Sequence, residues 1–308
     1  MNNEKVELNK ITYVEANPDK DFYHSYLCYI PKSIQNAPKK YILVKAINMP
    51  LCISTNENEL LKKEAENALD RVINDFADEL RCVVLVPVFQ RHELIYTYSL
   101  NRATMQIKTK PMVRLDQQLI QMIEDLTKKC KNADINLEEK ILMDGYSASG
   151  QFVNRFTAMH PELVKAAAAG SISGMPILPV DTYDGERLIY PVGIADLKEI
   201  TGKPFDLEQY KKVPQFIYMG ELDDNDTLFQ PLCLGGEEKE LIIKVLLDGK
   251  RENPISDMHK MREKSKQVYD EQGCAAKFEM YPKHNHCDVA GSDEIKGEII
   301  AFFKEHIK

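Results

Sequence analysis

Short apolar runs alternate along this chain with longer stretches of helical period, and this alternation limits the folds open to the chain more than any other feature. Strands that alternate with helices are typical of a mostly parallel sheet, because each parallel connection needs a crossover that a helix provides. We therefore expect an α/β fold with a mostly parallel central sheet and helices on both faces. The predicted strands are residues 22–30, 41–47, 82–88, 140–145, 164–169, 215–219 and 276–281.

Apolar residues at helical spacing predict the helices between these strands. The first two strands, 22–30 and 41–47, are joined by a link of hairpin length, so we expect the sheet to open with antiparallel strands. The predicted helices are residues 56–80, 113–129, 149–160 and 294–306.

The chain of 308 residues is interpreted as one α/β domain. Residues 170–213 are rich in Pro and Gly and poor in strand pattern, which predicts a small cap inserted within that domain. A second long link, 227–273, is charged and is expected to be helical towards its end.

Composition excludes several classes of function. The 40 Lys and Arg against 48 Asp and Glu give a net charge of −8, so we expect no nucleic-acid partner. No apolar run approaches the roughly 18 residues of a membrane span, and the first residues lack the apolar stretch of a secretory signal, so a cytoplasmic location is expected. The 7 cysteines form an odd set without CxxC spacing, which predicts reduced thiols.

The segment 145–150, GYSASG, carries the strongest chemical signal. Ser147 follows an apolar strand and precedes a helix, with small residues around it. A nucleophile elbow needs this context, because strand and helix backbones nearly touch at such a turn. The N–H of Ala148, at the helix N-terminus, is then expected to stabilise an oxyanion. Ser is also a favoured helix N-cap, and this is the structural alternative for Ser147.

A serine nucleophile needs a base, and the base needs a carboxylate that fixes its tautomer. Asp223 lies in an acidic turn after the strand 215–219, and His286 follows the last strand. We expect Asp223 as the acid and His286 as the base, in the order Ser, Asp, His.

Neighbouring residues provide alternatives for each of these roles. Asp226 is the next choice of acid, followed by Asp224, and His284 is the alternative base. The cluster of His284, His286, Cys287 and Asp288 also has metal-ligand residue types. Metal sites usually take ligands from several segments, however, so no metal is expected.

These motifs resemble those of the α/β-hydrolase superfamily over most of the chain. The run 145–152 with RF at 155–156 and HP at 160–161 is similar to polyhydroxybutyrate depolymerase-like and feruloyl-esterase-like bacterial hydrolases, as are 188–193 and 218–220. The resemblance implies an α/β-hydrolase fold and a serine hydrolase that needs no cofactor.

Two positions depart from the pattern of this superfamily. Ser149 replaces the second glycine of GxSxG, which fits only if its side chain tucks beside the turn. Residues 47–50, INMP, replace the His-Gly that supplies the other oxyanion donor, and Asn48 or Met49 is expected to donate a backbone N–H instead.

The hypothesis that follows is an esterase that forms an acyl-enzyme on Ser147 and acts on a small-molecule or oligomeric ester. The same three residues also serve peptidases and acyltransferases. A third interpretation is a non-catalytic binding protein with this fold, in which the altered oxyanion loop and Ser149 have abolished turnover. The sequence leaves acyl specificity and oligomeric state open.

Overall fold

Eight strands form one central sheet in the computed structural model, which describes residues 6–48, 57–89, 100–230 and 233–308. Each of the seven predicted strand runs overlaps a strand of this sheet, and a further strand, β1, precedes them. Two more strands form a separate short hairpin. The strands are β1 Ile11–Val14, β2 Tyr26–Tyr29, β3 Ile42–Lys45, β4 Val83–Pro87, β5 Ile141–Tyr146, β6 Val164–Gly170, β7 Thr182–Tyr183, β8 Glu186–Arg187, β9 Gln215–Gly220 and β10 Ala276–Tyr281.

The order of strands in the sheet is β1-β2-β4-β3-β5-β6-β9-β10. Strands β4, β3, β5, β6, β9 and β10 pair in parallel, whereas β2 is antiparallel to both β1 and β4. The sheet is therefore mostly parallel and opens with antiparallel strands, as the sequence predicts. The link of hairpin length between β2 and β3 does not join neighbouring strands, however, because β4 lies between them in the sheet.

Helices surround this sheet in the described part of the chain. The predicted helix 56–80 is interrupted, since a π-helical segment, Ile73–Ala77, separates its first four turns from a short last turn. The α-helices are α1 Glu57–Val72, α2 Asp78–Leu80, α3 Arg102–Gln106, α4 Leu115–Lys131, α5 Ala148–Met159, α6 Leu197–Thr201, α7 Leu207–Tyr210, α8 Gly236–Leu246, α9 Pro254–Gln272, α10 His286–Gly291 and α11 Asp293–His306. Short 3-10 helices span Pro18–Lys20 and Lys32–Asn36.

Local sequence sets the ends of the longest helix, α9. Asn253 caps its N-terminus by accepting the Ser256 N–H at 3.1 Å, and Pro254 occupies the first helical position. Gly273 ends the helix with a φ of 69°, the left-handed conformation that glycine adopts at low cost. The predicted helical end of the 227–273 link is thereby confirmed.

Two apolar clusters form the interior. The larger cluster includes residues from every strand of the central sheet and from α4, α5 and α11. The smaller one joins Leu178 and Leu188, from the 170–213 segment, to Ile242 of α8 and Met258 of α9. Burial of these side chains fastens the segment to the two helices.

The 170–213 segment contains the β7-β8 hairpin, α6 and α7. Its assignment as a cap, and that of the chain as a single domain, remain predictions. None of the helices in the described ranges is both long and apolar enough to cross a membrane. Six cysteines in the same ranges are free: Cys28, Cys82, Cys130, Cys233, Cys274 and Cys287.

Candidate active site

Ser147 occupies the turn between β5 and α5. Its φ of 60° and ψ of −126° lie outside the ordinary regions for a residue with a side chain, so the turn is strained. Its N–H donates to the Gly170 carbonyl of the neighbouring strand at 2.8 Å. The side chain is half-buried. Ser147 therefore lies at the carboxyl edge of the sheet, where side chains from several strands meet.

Two glycines allow the backbones at this turn to approach closely. A Cβ added at Gly145 would lie 2.4 Å from the Ser149 carbonyl oxygen, and one at Gly150 would lie 2.7 Å from the Gly170 carbonyl oxygen. Both distances are shorter than van der Waals contact. Glycine at these two positions is thus required by sterics.

Ser149 resolves the first departure from the superfamily pattern. Its hydroxyl donates to the Tyr146 carbonyl at 2.8 Å and accepts the Tyr146 N–H at 3.0 Å. The side chain is buried and folds back on the turn. The extra hydroxyl therefore braces the strand end without obstructing it.

Asn48 contacts the same turn through its side chain, a role that the sequence did not suggest. Its Oδ1 accepts the Ser149 N–H at 2.9 Å, and its Nδ2 donates to the Tyr146 carbonyl at 3.1 Å. The predicted oxyanion donation by the Asn48 backbone remains a prediction, and Met49 lies outside the described residues. Ala148 is the first residue of α5, a position whose N–H has no acceptor within the helix.

Asp223 and His286 meet as predicted from the sequence. The Nδ1 of His286 lies 2.9 and 3.0 Å from the two carboxylate oxygens of Asp223. Asp223 is buried, with 1% of its surface exposed. Burial acts to raise the pKa of this carboxyl, but its hydrogen bonds, with that of His286 the largest, outweigh burial and lower the pKa. The Asp223 carboxylate is thus held ionised beside the imidazole.

The other ring nitrogen of His286 faces an amide. Asn225 Nδ2 lies 2.9 Å from His286 Nε2, and the backbone N–H of Asn225 donates to Asp223 Oδ1 at 3.0 Å. An amide donor at Nε2 and a carboxylate acceptor at Nδ1 together fit the neutral tautomer with its proton on Nδ1. Sequence reasoning did not find Asn225, because its only signal was its position in the acidic turn.

Tyr146, the residue before Ser147, contacts His286. The Tyr146 hydroxyl donates to the His286 carbonyl at 2.5 Å, and the two rings lie 5.0 Å apart between centroids. In the described part of the chain no hydrogen bond joins Ser147 Oγ to His286. The structure thus places His286, the predicted base, against Tyr146, the residue before the predicted nucleophile. The Nε2 atom of His286 contacts Asn225.

The alternative acid and base have other partners. Asp226 forms an ion pair with Arg251, and burial, as the largest cause, raises the pKa of its carboxyl. His284 Nδ1 lies 2.8 Å from the Pro282 carbonyl. No group of three or more potential metal ligands occurs among residues 6–48, 57–89, 100–230 and 233–308.

The sheet order, the strained serine turn and the surrounding helices define the α/β-hydrolase fold. Solved structures with this fold match nearly the whole chain at low sequence identity. LpqC, a poly(3-hydroxybutyrate) depolymerase from Bordetella parapertussis, matches with a TM-score of 0.59 and 14% identity over 96% of this chain and 89% of its own.

Two further structures are similar to the chain. Poly(aspartic acid) hydrolase-1 from Sphingomonas sp. KT-1 matches with a TM-score of 0.55 and 17% identity over 91% of this chain and 92% of its own. A ferulic acid esterase matches with a TM-score of 0.50 and 11% identity over 97% and 98%. No protein-family model and no curated sequence matches the chain. At these identities the likeness is one of fold.

Proposed function

We propose that this protein is a serine hydrolase that cleaves carboxylic esters through an acyl-enzyme on Ser147. The observation that carries the proposal is the strained β5-α5 turn bearing Ser147 at the sheet edge that also holds the Asp223–His286 pair. A backbone turn of this kind is costly, and such strain is typical of catalytic positions. The three structural neighbours named above are, by their names, a poly(3-hydroxybutyrate) depolymerase, a poly(aspartic acid) hydrolase and a ferulic acid esterase.

In the proposed reaction Ser147 Oγ attacks the ester carbonyl and its proton passes to His286 Nε2. The alcohol then leaves with that proton. Water next attacks the acyl-enzyme and gives a proton to His286, and the acid is released as His286 returns that proton to Ser147 Oγ. Asp223 keeps the Nδ1–H tautomer and stabilises the imidazolium. The Ala148 N–H, at the start of α5, and a backbone N–H of the Asn48 region stabilise the oxyanion.

The amide of Asn225 has to leave Nε2 before this proton transfer, because that lone pair accepts only one hydrogen bond. The proposed cycle therefore begins with an exchange at Nε2, from Asn225 Nδ2 to Ser147 Oγ. Rotation of the Asn225 side chain is sufficient for this exchange, because its backbone N–H can keep its hydrogen bond to Asp223.

Labelling with a fluorophosphonate tests the nucleophile. We expect one modification per wild-type chain, located on Ser147 by peptide mass spectrometry, and none in Ser147→Ala. A label that persists in Ser147→Ala would refute the proposal. Absence of both labelling and hydrolysis in wild type would instead support the non-catalytic binding protein.

The base is tested with a matched pair of histidine variants. His286→Ala should reduce kcat/KM on p-nitrophenyl acetate by about 10²–10⁴-fold, whereas His284→Ala should stay near wild type because His284 faces the Pro282 carbonyl. Equal losses in both variants would contradict the assignment. The matched substrate p-nitroacetanilide separates ester from amide cleavage, and added methanol, by diverting the acyl group to methyl acetate, reveals acyl transfer.

A further inference from the structure

A cavity of about 470 Å³ lies beside the serine turn, lined by residues of the sheet and of helices α1, α10 and α11. We call it the Lys45–Asp144 cavity, after the ion pair in its wall. Tyr146 and Ser149 line it, but Ser147 and His286 do not. The cavity therefore adjoins the serine turn on the side of Asn48 and does not include the two residues between which the proposed proton transfer takes place.

The ion pair leaves one buried polar atom without a partner. Lys45 Nζ contacts Asp144 Oδ2 and lies 5.3 Å from the centroid of the Phe76 ring. Asp144 is fully buried, and its Oδ1 has no hydrogen-bond partner among the described residues. A buried carboxylate oxygen in that state is costly, and a donor supplied by a ligand would remove the cost.

The rest of the cavity wall favours a ligand with an apolar body. Phe76, Tyr146, Tyr218, Ile295 and Ile299 supply aromatic and aliphatic surface. This combination of apolar walls with a few convergent polar groups is typical of small-molecule sites. The cavity is also far larger than the roughly 30 Å³ share of one water molecule.

Charge balance favours a neutral ligand. Lys45 and Asp144 already neutralise each other, so a bound anion would be repelled by the carboxylate and a bound cation would compete with Lys45. Glu64 and Lys296, the other charged residues in the described wall, are of opposite sign and partly exposed. A neutral hydroxyl satisfies Asp144 without adding buried charge.

We propose that the Lys45–Asp144 cavity is a binding site for a small neutral alcohol or phenol, whose hydroxyl donates to Asp144 Oδ1 and whose apolar body packs on the aromatic and aliphatic wall. The proposal rests on Asp144 and the cavity wall and needs no reaction at Ser147, although Asn48, from the proposed oxyanion region, also lines the cavity.

Calorimetry with phenol and anisole tests the ligand class, because anisole keeps the ring and the oxygen but has a methyl group in place of the hydroxyl hydrogen. The Ser147→Ala protein is used, so that no turnover contributes heat. We expect phenol to bind with a stoichiometry of one and anisole to bind at least about tenfold more weakly. Equal affinities, or no heat with phenol at either of two temperatures, would overturn the proposal, because burial of apolar surface changes the heat capacity even where the enthalpy at one temperature is near zero.

A pair of alanine variants tests the location. Ala290 lines the cavity from the exposed side of α10, and Ala301 is exposed on α11 away from it. Ala290→Phe should weaken phenol binding at least about tenfold, whereas Ala301→Phe should bind as wild type. Unchanged binding in a folded Ala290→Phe protein would contradict the assignment.

Crystals soaked in phenol test the location without a substitution. Density for the ring in the Lys45–Asp144 cavity, with the hydroxyl within hydrogen-bonding distance of Asp144 Oδ1, is the expected result. Density only at another site would overturn the proposal even if the calorimetric stoichiometry were one.

Discussion

The ring nitrogens of His286 face Asp223 on one side and Asn225 on the other, and the second contact yields a prediction. Asn225→Ala removes the amide that competes for Nε2 but keeps the backbone N–H that binds Asp223. A hydrogen bond contributes about 0.5–1.5 kcal/mol net, so the rate of fluorophosphonate labelling should rise by about two- to tenfold. A loss as large as that in His286→Ala would mean that Asn225 holds the base in place instead.

Asp223 and Asp226 are close in sequence, and the same isosteric change separates their roles. Asp223→Asn should lower kcat by about 10³–10⁴-fold, because an amide cannot fix the tautomer or stabilise the imidazolium. Asp226→Asn should stay within about threefold of wild type, since Asp226 pairs with Arg251. Rates on p-nitrophenyl acetate at neutral pH measure both. A reversed order would assign the acid to Asp226.

The pKa of Asp223 gives this carboxylate a defined pH range. Its folded pKa lies below the ordinary value of about 3.9. Asp223 therefore stays ionised beside His286 throughout the neutral range and is protonated only in strong acid.

The contacts of His286 could be predicted from the sequence only in part. The residue types Ser, Asp and His and their order after strands were readable from the sequence. Which oxygen or amide faces His286 Nε2 depends on the conformation of the loops, and the sequence does not show it.

Among the elements, the buried strands were the most predictable. β4, β5, β6 and β9 are apolar runs buried along nearly their whole length, and such runs are readable because both faces of a parallel sheet are covered. β1 is mostly half-buried and was missed. The pairing of β2 with β4 was also missed, because strand order depends on contacts between distant segments and not on local pattern.

The β5-α5 turn yields a prediction about stability at the scale of elements. Gly145→Ala places a Cβ 2.4 Å from the Ser149 carbonyl oxygen, which is backbone and cannot rotate away. Overpacking of this kind costs about 1–3 kcal/mol. Urea unfolding should show that loss in the free energy of unfolding.

Gly297→Ala is the matched control for this change. Gly297 lies within α11, and a Cβ there would meet no atom within 4 Å. Alanine is favoured over glycine in helix interiors by about 1 kcal/mol, so this variant should be more stable than wild type. Stabilisation by both substitutions would show that strand and helix do not approach closely at the serine turn.

At the scale of the whole molecule, a buried ionic network joins α4, the end of α5 and the end of α6. Arg114 donates to both oxygens of Asp116, at 2.8 and 2.7 Å, and to the Thr201 carbonyl at 3.2 Å. His160 Nε2 lies 2.9 Å from Asp116 Oδ2. Burial acts to raise the pKa of Asp116, but the hydrogen bonds of Arg114 and His160 outweigh it and lower the pKa well below its usual range.

This lowered pKa predicts how stability depends on pH. Removing one partner of a buried ion pair costs about 3–5 kcal/mol, so Asp116→Asn should lose about that much at pH 7 by urea unfolding. The wild-type advantage is fully present above the unfolded pKa of about 3.9 and is lost as the pH falls towards the folded value. The difference between wild type and Asp116→Asn should therefore narrow below about pH 4.

Asp134→Asn is the control, because Asp134 is exposed and its φ of 60° is one that asparagine tolerates. Its stability should follow that of wild type at every pH. If the difference in free energy of unfolding between wild type and Asp116→Asn is the same at neutral and at strongly acidic pH, the charge of Asp116 is not what stabilises the protein. The packing of its side chain is then the stabilising factor.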